Sequence, residues 1–147
     1  MREILFRGKR KDNEEWVKGH LGIEVGNQLV IEYCDFDDIL DEYCVKERFI
    51  IPETVGQYTG LCDKNGTRIF EGDIVRGRSE YFGHDNFCRG GVFWSEGRFV
   101  ISFGDSVEAC EKLDDTEELR EWHEDVEVIG NIFDEPELLE NGGKLKA

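Results

Sequence analysis

Apolar residues along this chain come in short runs broken by glycine and by charged turns. Ile4-Leu5-Phe6 predicts a first strand and, after the polar, basic turn Gly8 to Asn13, Trp16 to Leu21 predicts a second. Gly26-Asn27 is a turn signal, and Gln28 to Tyr33 follows as a third strand. Val45 to Ile51 reads as a strand stopped by Pro52. Between them, Phe36, Ile39, Leu40 and Tyr43 fall at the i, i+3, i+4, i+7 spacing of one helix face, with Asp35 placed to cap it. The carboxylates crowding the same stretch fit a short helical turn or an acidic loop equally well.

The second half has a denser pattern. Asp63-Lys64-Asn65-Gly66 is a tight-turn sequence in which Asn65 and Gly66 tolerate positive φ. Arg68-Ile69-Phe70 and Asp73-Ile74-Val75 are strand pieces joined by Glu71-Gly72. Residues 77–91 read as a loop. Gly91 to Trp94 and Arg98 to Phe103 form a hairpin around a three-residue loop, Ser95-Glu96-Gly97. Asp114 to Trp122 reads as a short helix with acids near its start. Val126 to Phe133 is a strand in which Gly130 marks a bulge or a close approach. Pro136 suits the first turn of a helical cap, and residues 141–147 are expected to be disordered.

These elements predict a mainly β fold: a small barrel-like β domain in the C-terminal part, preceded by additional N-terminal strands, with one or two short helices. The expected division is an N-terminal β segment over 1–55, a barrel-like domain over 56–140 and a tail over 141–147. One continuous domain is the alternative.

Charge changes the picture. The 147 residues carry a formal net charge of −16, unevenly spread. Residues 1–55 hold 8 basic and 13 acidic side chains, 56–113 hold 7 and 9, and 114–147 hold 3 and 12. Phosphate backbones and anionic membranes both call for the opposite sign. The five cysteines, at 34, 44, 62, 88 and 110, are odd in number and show no C-x-x-C spacing. Arg2, Glu3, Arg7 and Lys9 interrupt any secretory apolar run, and no stretch approaches the ~20 apolar residues of a membrane span. Reduced thiols in the cytoplasm of a host cell are the expectation.

Three blocks carry a resemblance. Pro52 to Arg76 (PETVGQYTGLCDKNGTRIFEGDIVR), Val126 to Leu139 (VEVIGNIFDEPELL) and the start REILFRGKRKDNEEWVKGHL lie in the order of the YopX family of phage and prophage proteins, which they resemble. The resemblance implies a mainly β fold with a barrel-like C-terminal part. It implies no catalytic residues, because none are established for that family. The departures lie in the loop 77–91 and in the acidity.

No site emerges from spacing. His84 and Cys88, with Cys62 or Cys110, make one loose ligand pair rather than a zinc pattern. Counted from Asp35 as a calcium loop, positions six and twelve are Leu40 and Lys46, so the match fails. His20, His84 and His123 accompany no evident nucleophile. Catalytic residues, cofactors and metals are therefore expected to be none. Tyr58, Arg76, Arg78 and Trp94 are the candidate binding residues, since aromatics and arginines on a small barrel suit single-stranded nucleic acid. The charge balance opposes that reading and favours a non-catalytic protein-interaction or assembly module, with a host or phage protein as partner. An acidic nucleic-acid mimic acting on a host protein is the further alternative. Exposed strand edges also make a homo-oligomer an expectation.

Overall fold

The computed structural model describes residues 3–78, 87–140 and 143–144. The chain divides into two compact units, Met1–Tyr58 and Thr59–Ala147. Most of the loop expected over 77–91, His84 with it, lies outside the described residues, as does most of 141–147.

The first unit is an antiparallel sheet of β1 (Phe6–Lys9), β2 (Trp16–Glu24), β3 (Gln28–Asp37) and β4 (Glu42–Phe49), laid side by side in chain order. The start of β5 (Gly56–Cys62) pairs with β1 through Gln57 opposite Phe6. Val30, Ile31, Ile50 and Tyr58 are buried apolar residues of this unit. Gly8 has no side chain because Ile50 and Ile31 occupy the space a Cβ would need. Gly19 has none because a Cβ would sit on the carbonyl oxygen of Glu32. The guanidinium of Arg7 lies 4.8 Å from the ring centre of Trp16, a cation–π contact that accounts for a basic residue in an early strand.

The helical spacing of Phe36, Ile39, Leu40 and Tyr43 proves to belong to a β-hairpin. Strand β3 runs on to Asp37 and β4 begins at Glu42, with Phe36 paired across the ladder to Tyr43. Asp37 organises the connection: its Oδ1 accepts from the backbone N–H groups of Ile39 and Leu40. Asp41 takes a left-handed φ of 52°. Two residues facing each other across a hairpin can mimic i, i+7 in the sequence, so periodicity alone misassigns them.

The second unit is a five-stranded antiparallel sheet. It comprises β7 (Asp73–Arg78), β8 (Phe87–Ser95), β9 (Arg98–Phe103), β10 (Thr116–Glu118) and β11 (Val126–Asn131). The order is β10-β9-β8-β7-β11. β6 (Arg68–Phe70) pairs with β5 beside it, and β12 (Gly143–Lys144) pairs with β8. Among the described residues the sheet is an open path and not a closed barrel, while the mainly β class stands. The hairpin β8–β9 turns on two residues, Glu96 and Gly97, both at positive φ, one fewer than expected. Strand β10 occupies part of the stretch expected to be helical, leaving α2 only Leu119–Trp122. Helix α1 (Val107–Glu111) was not foreseen; Ser106 caps it by accepting from the N–H of Ala109.

Both faces of this sheet are covered. Val75, Cys88, Val92, Ile101 and Phe103 pack with Ile69, Leu119 and Val126 on one side. Ile74 packs with Cys110 and Leu139 on the other, with Phe93, Ile129 and Leu138 closing the cluster. Gly130 is both things the sequence suggested. The β11–β7 register slips between Val128 and Gly130, and a Cβ at Gly130 would lie 2.6 Å from Glu135 and 2.7 Å from Leu138.

Candidate interaction face

On the β3–β4 ribbon, strand alternation sends Val30, Glu32, Cys34 and Phe36 to one face, opposite Phe49, Glu47, Val45 and Tyr43 respectively. His20 and Glu24 of β2 share that face. Toward the base, Val30 is buried. Toward the tip the face is open: Tyr43 and Val45 are each 74% exposed, and Cys34 and Phe36 are exposed beside them. Phe36 and Tyr43 meet edge to face with ring centres 5.2 Å apart. Beyond them Ile39 is 93% exposed. Scattered apolar residues on a surface need no explanation, but these are contiguous.

Carboxylates frame this apolar patch. Glu32 and Glu47 lie across from each other on the base side of the same face, Asp38 and Asp41 lie in the turn at the tip, and Asp35, Asp37 and Glu42 alternate to the opposite face of the ribbon. A hydrogen bond shared with Glu24, loss of hydration and the charges of Glu24 and Glu32 hold the Glu47 carboxyl above its ordinary range. Lys46 pairs with Asp35, at 3.4 Å. A depression of about 260 Å³ at the base is lined by Lys11, Asp12, Gln28, Glu47, Arg48 and Phe49. It is smaller than the cavities of roughly 300–1,000 Å³ that enclose drug-sized molecules.

The binding candidates named from the sequence lie elsewhere. Tyr58 is buried, its N–H donating to the Leu5 carbonyl at 2.7 Å. In the second unit, the Arg76 guanidinium is held by Glu127 across β7–β11, through Nε at 3.1 Å and through a second contact from Nη2. That pairing draws the Glu127 carboxyl below its ordinary range. The side chain of Arg78 is outside the described residues. Trp94 is 53% exposed and stacks edge-on against Phe99 at 4.8 Å. Arg76 and Trp94 project from opposite faces of the sheet, since Arg76 faces Arg89 and Trp94 is five residues further along β8. Among the described residues no three His, Cys, Asp or Glu side chains converge as metal ligands would, and no helix is long and apolar enough to cross a membrane.

The distinctive sequence blocks have a structural explanation. Asp63 Oδ1 accepts from the N–H groups of Asn65 and Thr67 and closes the turn, while Oδ2 accepts from Val128 N–H at 2.8 Å. Asp73 accepts from Phe70 N–H at 2.8 Å across the Glu71-Gly72 turn, where Gly72 has φ 91°. Asn131 Oδ1 accepts from the N–H groups of Phe133 and Asp134. Thr59 donates to the Ile69 carbonyl.

Those residues lie inside the span over which the model of the family described as YopX protein matches the chain, residues 5–140. The chain belongs to the YopX family. The crystal structure of protein EF1440 from Enterococcus faecalis is similar, at 22% identity and a TM-score of 0.55. That likeness covers 95% of this chain and 100% of that one, and it speaks to the fold. None of the curated proteins matches this sequence. In this YopX chain Asp63, Asp73 and Asn131 are engaged in turns and strand pairing. The exposed apolar–acidic face lies outside those blocks, in the text between residues 32 and 47. Sequence reading missed it because its alternation is interrupted by the hairpin turn; the Phe36/Tyr43 and Cys34/Val45 pairs become visible only once the ladder is known.

Proposed function

We propose that this YopX protein is a non-catalytic protein-interaction module of phage or prophage origin, and that the exposed face of its β3–β4 ribbon is where a partner docks. The single observation that carries the reading is the contiguous set Cys34, Phe36, Tyr43 and Val45, exposed and framed by carboxylates. Aromatic and aliphatic side chains at the centre of a patch supply most binding energy, and a charged rim supplies steering and specificity. The rim here is acidic, so the fitting partner is a protein segment that combines basic residues with apolar anchors.

The test is comparative capture from host cells with the wild-type chain and with the double variant Tyr43→Ser, Val45→Lys. The reading expects a basic partner that is retained by wild type and lost by the variant. Recovery of the same proteins by both forms overturns it. The row of Glu24, Glu32 and Glu47 supports a second reading of the same face, an acidic imitation of nucleic-acid phosphate. A captured partner that DNA displaces competitively favours that version; a partner indifferent to DNA favours the first.

A further inference from the structure

We infer that the outer edge of β4 pairs antiparallel with the β4 of a second copy, about a two-fold axis at Val45. The geometry of the ladder is the starting point. Ile50 N–H donates to the Leu29 carbonyl at 3.0 Å, which makes Leu29 and Ile50 a hydrogen-bonded pair. Counting back along the register, Glu42, Cys44, Lys46 and Arg48 turn their backbone groups to β3, and Tyr43, Val45, Glu47 and Phe49 turn theirs outward. Two contacts confirm the direction. The Phe49 carbonyl accepts from Lys11 N–H at 2.9 Å, and the Glu47 carbonyl accepts from the Arg48 guanidinium at 2.8 Å. Lys11 therefore ends the accessible edge at Phe49. At Glu47 a flexible side chain stands where a neighbouring strand would.

An edge strand bearing charges ordinarily resists a further strand. The outcome depends on what those charges meet. With Val45 opposite Val45 of the second copy, Tyr43 lies opposite Glu47 and Glu47 opposite Tyr43. These are the outward-turned residues, so three successive pairs exchange backbone hydrogen bonds. On the intervening positions Glu42 falls opposite Arg48, and the symmetry produces that pair twice. Moving the axis to Lys46 would set Lys46 against itself and draw the Lys11-covered Phe49 into the ladder. Centring it on Cys44 would set Glu42 opposite Lys46 but would place Glu47 opposite Asp41 in the turn, leaving two hydrogen-bonded pairs in place of three. The register that combines three such pairs with opposite charges is the one centred on Val45. Forming it exchanges the Arg48 bond to the Glu47 carbonyl for a backbone N–H at the same acceptor and releases the guanidinium to Glu42. The apolar faces of the two ribbons remain open and become continuous across the axis, so this inference stands independently of what docks there.

The experiment is sedimentation velocity on the full chain across a micromolar to high-micromolar range, with a thiol reductant present because Cys34 is exposed. Wild type is expected to dimerise. Arg48→Glu turns both cross-strand pairs repulsive and is expected to weaken the dimer at least about tenfold, and Glu42→Arg combined with it is expected to restore association. Val45→Pro removes an outward N–H without touching the bonds to β3 and is expected to leave a folded monomer by circular dichroism. If Val45→Pro fails to fold, the charge exchange decides alone. A wild-type chain that stays monomeric at every concentration overturns the inference. So does a dimer that Arg48→Glu leaves unchanged, or one that the double exchange does not restore.

Discussion

Asp63 and Val128, 65 residues apart, are joined by a 2.8 Å hydrogen bond from the Val128 N–H to the second carboxylate oxygen of the aspartate. The first oxygen is committed to Asn65 and Thr67, and Asp63 itself is 5% exposed. One side chain therefore shapes a turn and fixes where β11 lies. Removal by Asp63→Ala leaves three N–H groups without their acceptor, at a cost of about 3 kcal/mol or more. Asp63→Asn keeps one oxygen for the turn but presents an amide to Val128, and is expected to cost about 2 kcal/mol. Urea titration at constant m-value measures both; equal stability in Asp63→Ala and wild type would remove this clasp from the fold's supports.

The turn at Glu71-Gly72 is the second place where the fold is vulnerable. Gly72 combines φ 91° with two backbone bonds, its N–H to the Val92 carbonyl and its carbonyl to the Ile132 N–H. A β-branched side chain does not adopt that φ, so Gly72→Val is expected to destabilise by more than about 2 kcal/mol. Asp73→Leu buries Phe70 N–H without an acceptor and is expected to cost about 2 kcal/mol. Thermal melting of either variant at the wild-type temperature would contradict this placement of strain.

Two carboxyls bias stability in opposite directions with pH. Glu127 has its folded value lowered by Arg76, so its contribution is fully present above about pH 5 and is lost as pH falls through the lowered value. Glu47 has its folded value raised by Glu24, so the folded form holds its proton longer than the unfolded form, and stability declines as pH rises through that window. Glu127→Gln should therefore flatten the acid limb of the stability profile. Glu47→Gln should flatten the decline above it and leave the protein slightly more stable at neutral pH. Denaturation midpoints collected from about pH 3 to pH 7 distinguish the two signs.

The exposed patch should be separable from the fold. Phe36 and Tyr43 meet edge to face while both stay exposed, so Tyr43→Ser is expected to cost about 0.5 kcal/mol. Stability measured beside the capture assay checks this. A loss of several kcal/mol would mean that the ribbon is part of the supporting core.

Local chemistry was legible where a few adjacent residues determine the outcome. The Asp63 to Gly66 turn, the Glu71-Gly72 junction, the β8–β9 hairpin and the dual role of Gly130 could all be read from composition and spacing. What escaped depended on residues far apart. Arg76 reads as a free cation until β11 brings Glu127 beside it, and Tyr58 reads as a surface aromatic until its burial is known. The four apolar residues between 36 and 43 satisfy a helix template and a hairpin alike. Only the pairing of Asp35 with Cys44 and of Asp37 with Glu42 decides between them.

The hairpin tip at Asp38 to Asp41 has a consequence for how such a chain can diverge. Asp37 organises its backbone, and its side chains are exposed. Each doubling of such a loop costs only about 0.6 kcal/mol of closure entropy, so residues can be added or exchanged there with little penalty to folding. A graft at this tip, whether a peptide tag or a segment from a relative, would alter what the ribbon meets and leave the framework that carries it unchanged.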